Sequence, residues 1–333
     1  RGGITAYSGE LPASAGTAYK KGDTLVSNIR PYLQKIWLAD RDGTCSKDVL
    51  VFRSINTDSL LPEFLHLLLW QKDFFDYDMS TFTGTGRPRG DKDELLKYPI
   101  PVPTLSEQRA LIDGFNRLTD EINSKRQQIA ALKESVKSRF VEVFGDPVDG
   151  KKWPFVRLED LCTKLGSGAT PRGGKTAYKA EGVPLVRSMN VHNGRFVWKD
   201  LACIDDEQAA KLEGVTLMKG DVLLNITGAS VARSCLLPDE LAGGRVNQHV
   251  SIVRVDQKRM LPVLLNTVLI SDSYQKLLLN GSRAAGATRE AITKEDLKRM
   301  TVPLPPLELQ QEFADFVAQV DKSQFALEQE VDA

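Results

Sequence analysis

Two loops in this 333-residue chain concentrate glycine and arginine. One is Gly84-Thr85-Gly86-Arg87-Pro88-Arg89-Gly90, and the other is Gly281-Ser282-Arg283-Ala284-Ala285-Gly286-Ala287-Thr288-Arg289. Glycine lets backbone approach a duplex, and a guanidinium offers paired donors to phosphate or guanine. Each loop alone reads equally as solvated surface, but recurrence ahead of a proline-rich segment in both places favours DNA contact. Asn28-Ile29-Arg30-Pro31-Tyr32-Leu33-Gln34-Lys35 adds Arg, Tyr and Lys at a strand-to-loop junction. The loop from Gly166 to Lys175 is rich in glycine but lacks the GK[ST] ending of a phosphate-binding loop. Of the three histidines, His66 lies in an apolar helical pattern and reads as packed. His192 and His249 sit among polar side chains, as base contacts or as structural hydrogen-bonding groups. No two histidines have metal-ligand spacing, and neither H-E-x-x-H nor a G-x-S-x-G elbow occurs. The Asn/Asp-Pro-Pro-Tyr tetrad of amino-methyltransferases is also missing. The reading is a chain that performs no chemistry itself.

These residues need elements to hold them, and the chain is organised around Pro99-Ile100-Pro101-Val102-Pro103 and the helix that follows. The prolines fix φ and remove donors, so this is an extended strut. Thr104 and Glu107 have capping-box spacing. Apolar positions then alternate by four and three: Leu111, Phe115, Leu118, Ile122, Ile129, Leu132, Val136, Phe140 and Val143, with Lys125 on the same seam. That is a coiled-coil pattern on a helix of roughly 58 Å, at about 1.5 Å per residue. A second strut at 302–306 leads into Phe313, Val317, Val320, Gln324, Leu327 and Val331 at the same spacing. Each seam reads as helix pairing or as packing onto the helix's own domain, with pairing favoured by its recurrence. Outer positions such as Gln127, Gln128, Lys133, Glu134, Lys137 and Arg139 read as solvated or as a docking face for a partner.

Other pieces recur at an offset near 200 residues. Lys21-Gly22-Asp23-Thr24-Leu25 matches Lys219-Gly220-Asp221-Val222-Leu223, and Asp48-Val49-Leu50-Val51 aligns with His249-Val250-Ser251-Ile252. The chain therefore reads as an α+β protein with two copies of a globular unit, each followed by a helix. The expected boundaries are 1–98, an N-terminally incomplete first unit; 99–145, strut and helix; 151–300, the second unit; and 301–333, the second strut and helix. Helices are expected over Leu61–Phe75 and about Leu261–Leu279, with a linker near 145–152. Arg1 is not a natural initiator, and the first unit has no counterpart of 153 to about 198. Lys and Arg total 44 and Asp and Glu 44, so net charge is zero and argues against DNA unless charge is locally concentrated. No apolar run approaches a membrane span. Cys45, Cys162, Cys203 and Cys235 form no C-x-x-C pair and read as reduced thiols of a cytoplasmic protein, with no metal site.

The ordered set resembles the specificity (S) subunit of type I restriction–modification systems. Its motifs are Pro99-to-Gln108 with the helix ending near Phe144-Gly145-Asp146-Pro147, then Trp153, Leu158 and Gly168-Ala169-Thr170-Pro171. The two Lys-Gly-Asp turns, Val246-Asn247-Gln248-His249-Val250 and the strut at 302–306 complete it, so the resemblance covers essentially the whole chain. It implies two target recognition domains, each a mixed β-sheet with helices that reads half of a bipartite sequence in double-stranded DNA. Two long helices would pair antiparallel as a coiled-coil spacer. It implies two methyltransferase (M) subunits carrying S-adenosylmethionine, restriction (R) subunits for cleavage, and no cofactor on this chain. By the same resemblance, DNA contact in the first unit comes from Asn28, Arg30, Tyr32, Lys35, Arg87 and Arg89. In the second it comes from Thr170, Arg172, Lys175, Arg187, Asn190, His192, Asn247, His249, Arg283 and Arg289. The second copy departs from the first in having Leu309 where the capping box has Glu107. The competing class is a coiled-coil scaffold joining two protein-binding domains.

Overall fold

The computed structural model describes residues 16–82, 88–171, 173–283 and 291–332, without the side chains at 175, 176 and 281–283. It divides into two compact units, Arg1–Ser124 and Lys125–Ala333. The first contains β1 (Thr17–Tyr19), β2 (Thr24–Ser27), β3 (Ile36–Leu38), β4 (Gly43–Cys45) and β5 (Val49–Phe52). Next come α1 (Pro62–Leu69), α2 (Lys72–Ser80), α3 (Lys92–Leu95) and the start of α4 (Leu105–Phe144). β2 is the centre of an antiparallel sheet of order β3-β2-β5, with Val26 opposite Ile36 and Leu50. These three residues join Leu65, Leu69, Phe74, Phe75 and Leu95 in the core beneath the helices. The segment expected as one helix over 61–75 is two, because Gln71 is extended (φ −67°, ψ 152°) and turns the chain so that Phe74 and Phe75 also face the core.

The second unit holds β6 (Phe155–Arg157), α5 (Leu158–Leu161), β7 (Cys162–Ser167), β8 (Val183–Val186), β9 (Val191–His192), β10 (Arg195–Phe196), β11 (Ala202–Ile204) and α6 (Asp206–Lys211). After them come β12 (Val222–Asn225), β13 (Ser234–Leu236), β14 (Arg245–Val246) and β15 (Val250–Val255). The chain ends with α7 (Pro262–Ile270), α8 (Asp272–Arg283), α9 (Lys294–Arg299), β16 (Thr301–Pro303) and α10 (Leu307–Asp332). The main sheet has order β13-β12-β15-β7, so β12 takes the place that β2 holds in the first unit. Both of its faces are covered. Val222 and Leu224 pack toward the helices, while Leu223 packs with Val186, Val246, Val250 and Ile252. A strand buried on both faces reads as a continuous apolar run, as Val222-Leu223-Leu224 does. Beside it, β8 pairs antiparallel with β11 and parallel with β14.

The sequence reading needs four adjustments here. The helix expected over about 261–279 is interrupted at Ser271, and its second part continues through Arg283 into the segment expected as loop. The second strut begins as a strand, because Thr301–Pro303 pairs with Phe155–Arg157. The chain leaves regular structure at 145–154, where the linker was expected, but the two compact units divide inside α4, because the end of α4 packs into the second unit's core. There Phe140, Phe144 and Phe313 stack mutually, with ring centroids 5.5, 5.9 and 5.4 Å apart. Val136, Val143 and Val317 pack around them, and Lys125 pairs with Glu330 at 3.0 Å. Since 140 meets 313 while 125 meets 330, this half of α4 runs antiparallel to α10. The fourth concerns the first unit, where Phe115 meets Trp70 at 5.0 Å but Leu111 and Leu118 are exposed (55% and 61%) beside an apolar groove lined by Phe64, Leu68 and Trp70. Seam spacing marks an apolar stripe, and nothing in the first unit's own described residues covers these two.

Candidate nucleic-acid interface

Both units build their polar ends on the same scaffold. Each Lys-Gly-Asp turn needs its glycine, with φ +88° at Gly22 and +80° at Gly220. The aspartate after it is buried and accepts a two-pronged arginine bond. Arg53 serves Asp23, and Arg254 serves Asp221 at 2.7 and 2.9 Å. The guanidinium of Arg53 beside Asp23 holds that carboxyl below its ordinary range. A second pairing also repeats. Ile29 bridges to Arg89 and Thr227 bridges to Ala291, each just beyond the central strand of its sheet.

In the first unit this brings the 30–35 turn beside 88–90. Arg30, at a left-handed φ of 55°, donates its backbone N–H to Pro88 O at 2.9 Å. Arg30, Tyr32, Lys35 and Arg89 are exposed, and Arg89 pairs with Asp48 at 2.8 Å. An exposed pair of this kind holds its partner weakly, so the guanidinium is available to a phosphate. Asn28 is different. It is buried, its Oδ1 accepts from Gly90 N–H at 3.0 Å and its Nδ2 donates to Gly90 O at 3.2 Å. Its amide ties the turn to the following loop. Arg87 lies outside the described residues.

In the second unit, two motifs far apart in sequence are joined. Gly168 N–H donates to Asn247 O at 3.2 Å, and a Cβ on Gly168 would lie 1.7 Å from Val246 O. Only glycine permits that approach. Asn247 continues β14, where its N–H donates to Val186 O, and its Oδ1 accepts from His249 N–H at 3.1 Å. The His249 ring is held on both sides, by Thr227 Oγ1 at 2.5 Å from Nδ1 and Gln248 Nε2 at 2.9 Å from Nε2. Asn190 is fully buried, donating to Val197 O and Lys199 O while accepting from Arg187 N–H. Arg187 stacks over Tyr178 with 5.0 Å to the ring centroid and donates to Asp200 O, while its buried Nε finds no partner among the described residues. Thr170 is exposed and His192 half-buried on β9.

The structure therefore gathers Thr170, Arg187, Asn190, Asn247 and His249 around the ends of β8, β14 and β15, with His192 on the neighbouring hairpin. Asn190 and Asn247 are engaged in shaping the backbone. Arg172 and Arg289 lie outside the described residues, as do the side chains of Lys175 and Arg283. Sequence reasoning passed over Trp198 and Met189, exposed (52% and 44%) on the two loops that Asn190 ties together. An apolar residue flanked by loop polar residues was the available signal. It also passed over Gln108 and Gln310, both fully buried. His66 is packed as expected, 3.4 Å from Thr24 Oγ1, and burial lowers its pKa. Burial pushes the Cys162 and Cys235 thiols up to about 12, which keeps them unreactive. No cluster of three potential metal ligands occurs among the described residues, and no helix described is long and apolar enough to cross a membrane.

Comparison with known proteins places this architecture. The family described as type I restriction modification DNA specificity domain matches residues 4–134 and 150–333. The specificity subunit of the type I restriction enzyme MjaVIII from Methanocaldococcus jannaschii is 24% identical over 258 residues, covering 72% of this chain and 59% of that protein. The EcoKI specificity subunit of Escherichia coli K12 is 23% identical, covering 66% of this chain and 50% of its own length. The chain thus spans a little over half the length of these relatives. The S subunit structure from M. genitalium shares the fold at TM-score 0.58 with 13% identity, over 100% of this chain and 84% of that one. A chain from a type I R-M system assembly shares it at TM-score 0.59 and 24% identity, over 96% and 79%. With the match lying on both units, this chain belongs to the type I restriction–modification DNA specificity family, whose concern is DNA sequence specificity.

Proposed function

We propose that the chain is the non-catalytic reading subunit of a type I restriction–modification complex, or of a phage-defence arrangement that uses the same subunit. It reads two half-sites and directs partner methyltransferase and restriction subunits to them in the cytoplasm. S-adenosylmethionine belongs on the methyltransferase partner. The observation that carries this reading is duplication with divergence. The Asp–Arg pair, the central strand and the bridge beyond it occur twice, while the polar side chains mounted on them differ. Arg30, Tyr32, Lys35 and Arg89 face solvent in one unit, and Thr170, Arg187, His192 and His249 surround the other's strand ends. One scaffold presenting two surfaces suits a target with two unlike halves. Such a set divides into phosphate contacts that position and base contacts that specify. Zero net charge suits a subunit whose partners share in enclosing the DNA.

The test is a selection from random duplexes by this chain co-purified with its methyltransferase partner. Two short motifs at one spacing are expected. A single motif would restrict the reading to one unit. No enrichment in a partner-bound complex would overturn it and favour a protein scaffold.

A further inference from the structure

Gln108 and Gln310 occupy the same position in the two copies, at the fourth residue of α4 and α10, and neither side chain is accessible. Each amide joins three pieces of chain. Gln108 Oε1 accepts from Leu61 N–H at 2.9 Å, and its Nε2 donates to Ser59 O and Pro103 O, both at 2.8 Å. Gln310 Oε1 accepts from Leu261 N–H at 2.8 Å, and its Nε2 donates to Arg259 O at 3.0 Å and Pro305 O at 2.8 Å. In each unit the joined pieces are the turn into the helix opened by Pro62 or Pro262, the end of the proline-rich segment, and the first turn of the long helix. Each amide uses both donors and an acceptor, and the backbone groups it meets would be left without that partner if it were removed. An apolar contact could slide at such a junction. Three directional bonds from one rigid plane fix both distance and angle.

We propose that Gln108 and Gln310 are positioning residues that set the angle at which each recognition unit is held on its own helix. They thereby fix the half-site spacing the complex accepts. This rests on the bipartite reading above. The test begins with the wild-type complex, assayed on duplexes carrying both selected half-motifs at spacings one base pair shorter and longer than the preferred one. If the wild-type chain shows no preferred spacing, the bipartite reading itself fails. Given a wild-type preference, Gln108→Ala and Gln310→Ala complexes are expected to keep the same half-motifs while discrimination between neighbouring spacings falls roughly tenfold. Loss of affinity at every spacing in equal proportion, with discrimination intact, would show a purely structural residue and overturn the proposal. Should either alanine variant fail to fold, Gln108→Met and Gln310→Met keep much of the side-chain volume while removing the amide's three bonds, and the same loss of spacing discrimination is expected. A folded variant that discriminates between spacings as sharply as wild type would equally overturn the proposal.

Discussion

Two aspartates show how much one side chain's surroundings decide. Asp221 is buried and takes bonds from Arg254 and from Met218 N–H at 2.8 Å, so its charge is compensated on every side. Removing one partner of a buried pair leaves the other uncompensated. Asp221→Ala is therefore expected to lower unfolding free energy by about 3 kcal/mol, read as a lower denaturant midpoint at unchanged slope. Asp78 is the opposite case. It is fully buried, neither carboxylate oxygen has a partner among the described residues, and burial pushes its pKa from 3.8 up to about 6. A carboxyl that is harder to ionise folded than unfolded stabilises the protein below the unfolded value, and that stability is lost as pH rises through about 6. Asp78→Asn should abolish this loss, so the melting temperature of the variant should exceed that of wild type at pH 7.5 but not at pH 4. A wild-type melting temperature that stays level between those pH values would contradict it.

At the scale of elements, periodicity gave the long helices, the strut and the duplication, because each is a local pattern repeated. It could not say what covers a stripe. Phe140 and Leu118 have equal standing in the heptad, yet one is 2% and the other 61% exposed. Phe313→Ala should thus cost about 3–5 kcal/mol by opening a cavity between Phe140 and Phe144, whereas Leu118→Ser should cost under about 0.5 kcal/mol. Thermal unfolding of the two variants side by side separates these outcomes. The junction glutamines are illegible in the sequence for a related reason. A polar residue in an amphipathic pattern reads as solvent-facing, whereas Glu107, one position earlier, carries a local signal in its capping-box spacing. That box forms, with Thr104 N–H donating to Glu107 Oε2 at 2.8 Å. It has no counterpart at Leu309, while the glutamine one step on serves both copies. Its leucine partners, Leu61 and Leu261, lie 47 and 49 residues away, beyond the reach of any local pattern. The joining of Gly168 to Val246 was hidden likewise, although both stretches stood out as motifs.

For the whole molecule, duplication separates two tasks. Buried pairs, turn glycines and junction amides recur because both copies need the same frame, while the surface residues mounted on it differ; under the proposed function each set would meet its own half of the target. The junction also has a consequence for solvent exchange. Leu61 and Leu261 precede the first turns of α1 and α7, where backbone N–H groups have no partner within the helix and commonly trade deuterium early. Here each is closed by a side chain from a distant helix, so exchange requires the junction to open. Both N–H groups should be protected in the intact protein, far more slowly labelled than the amides of an ordinary surface turn. Gln108→Ala should release Leu61 alone and Gln310→Ala should release Leu261 alone, making two backbone protons the separate clocks of two joints.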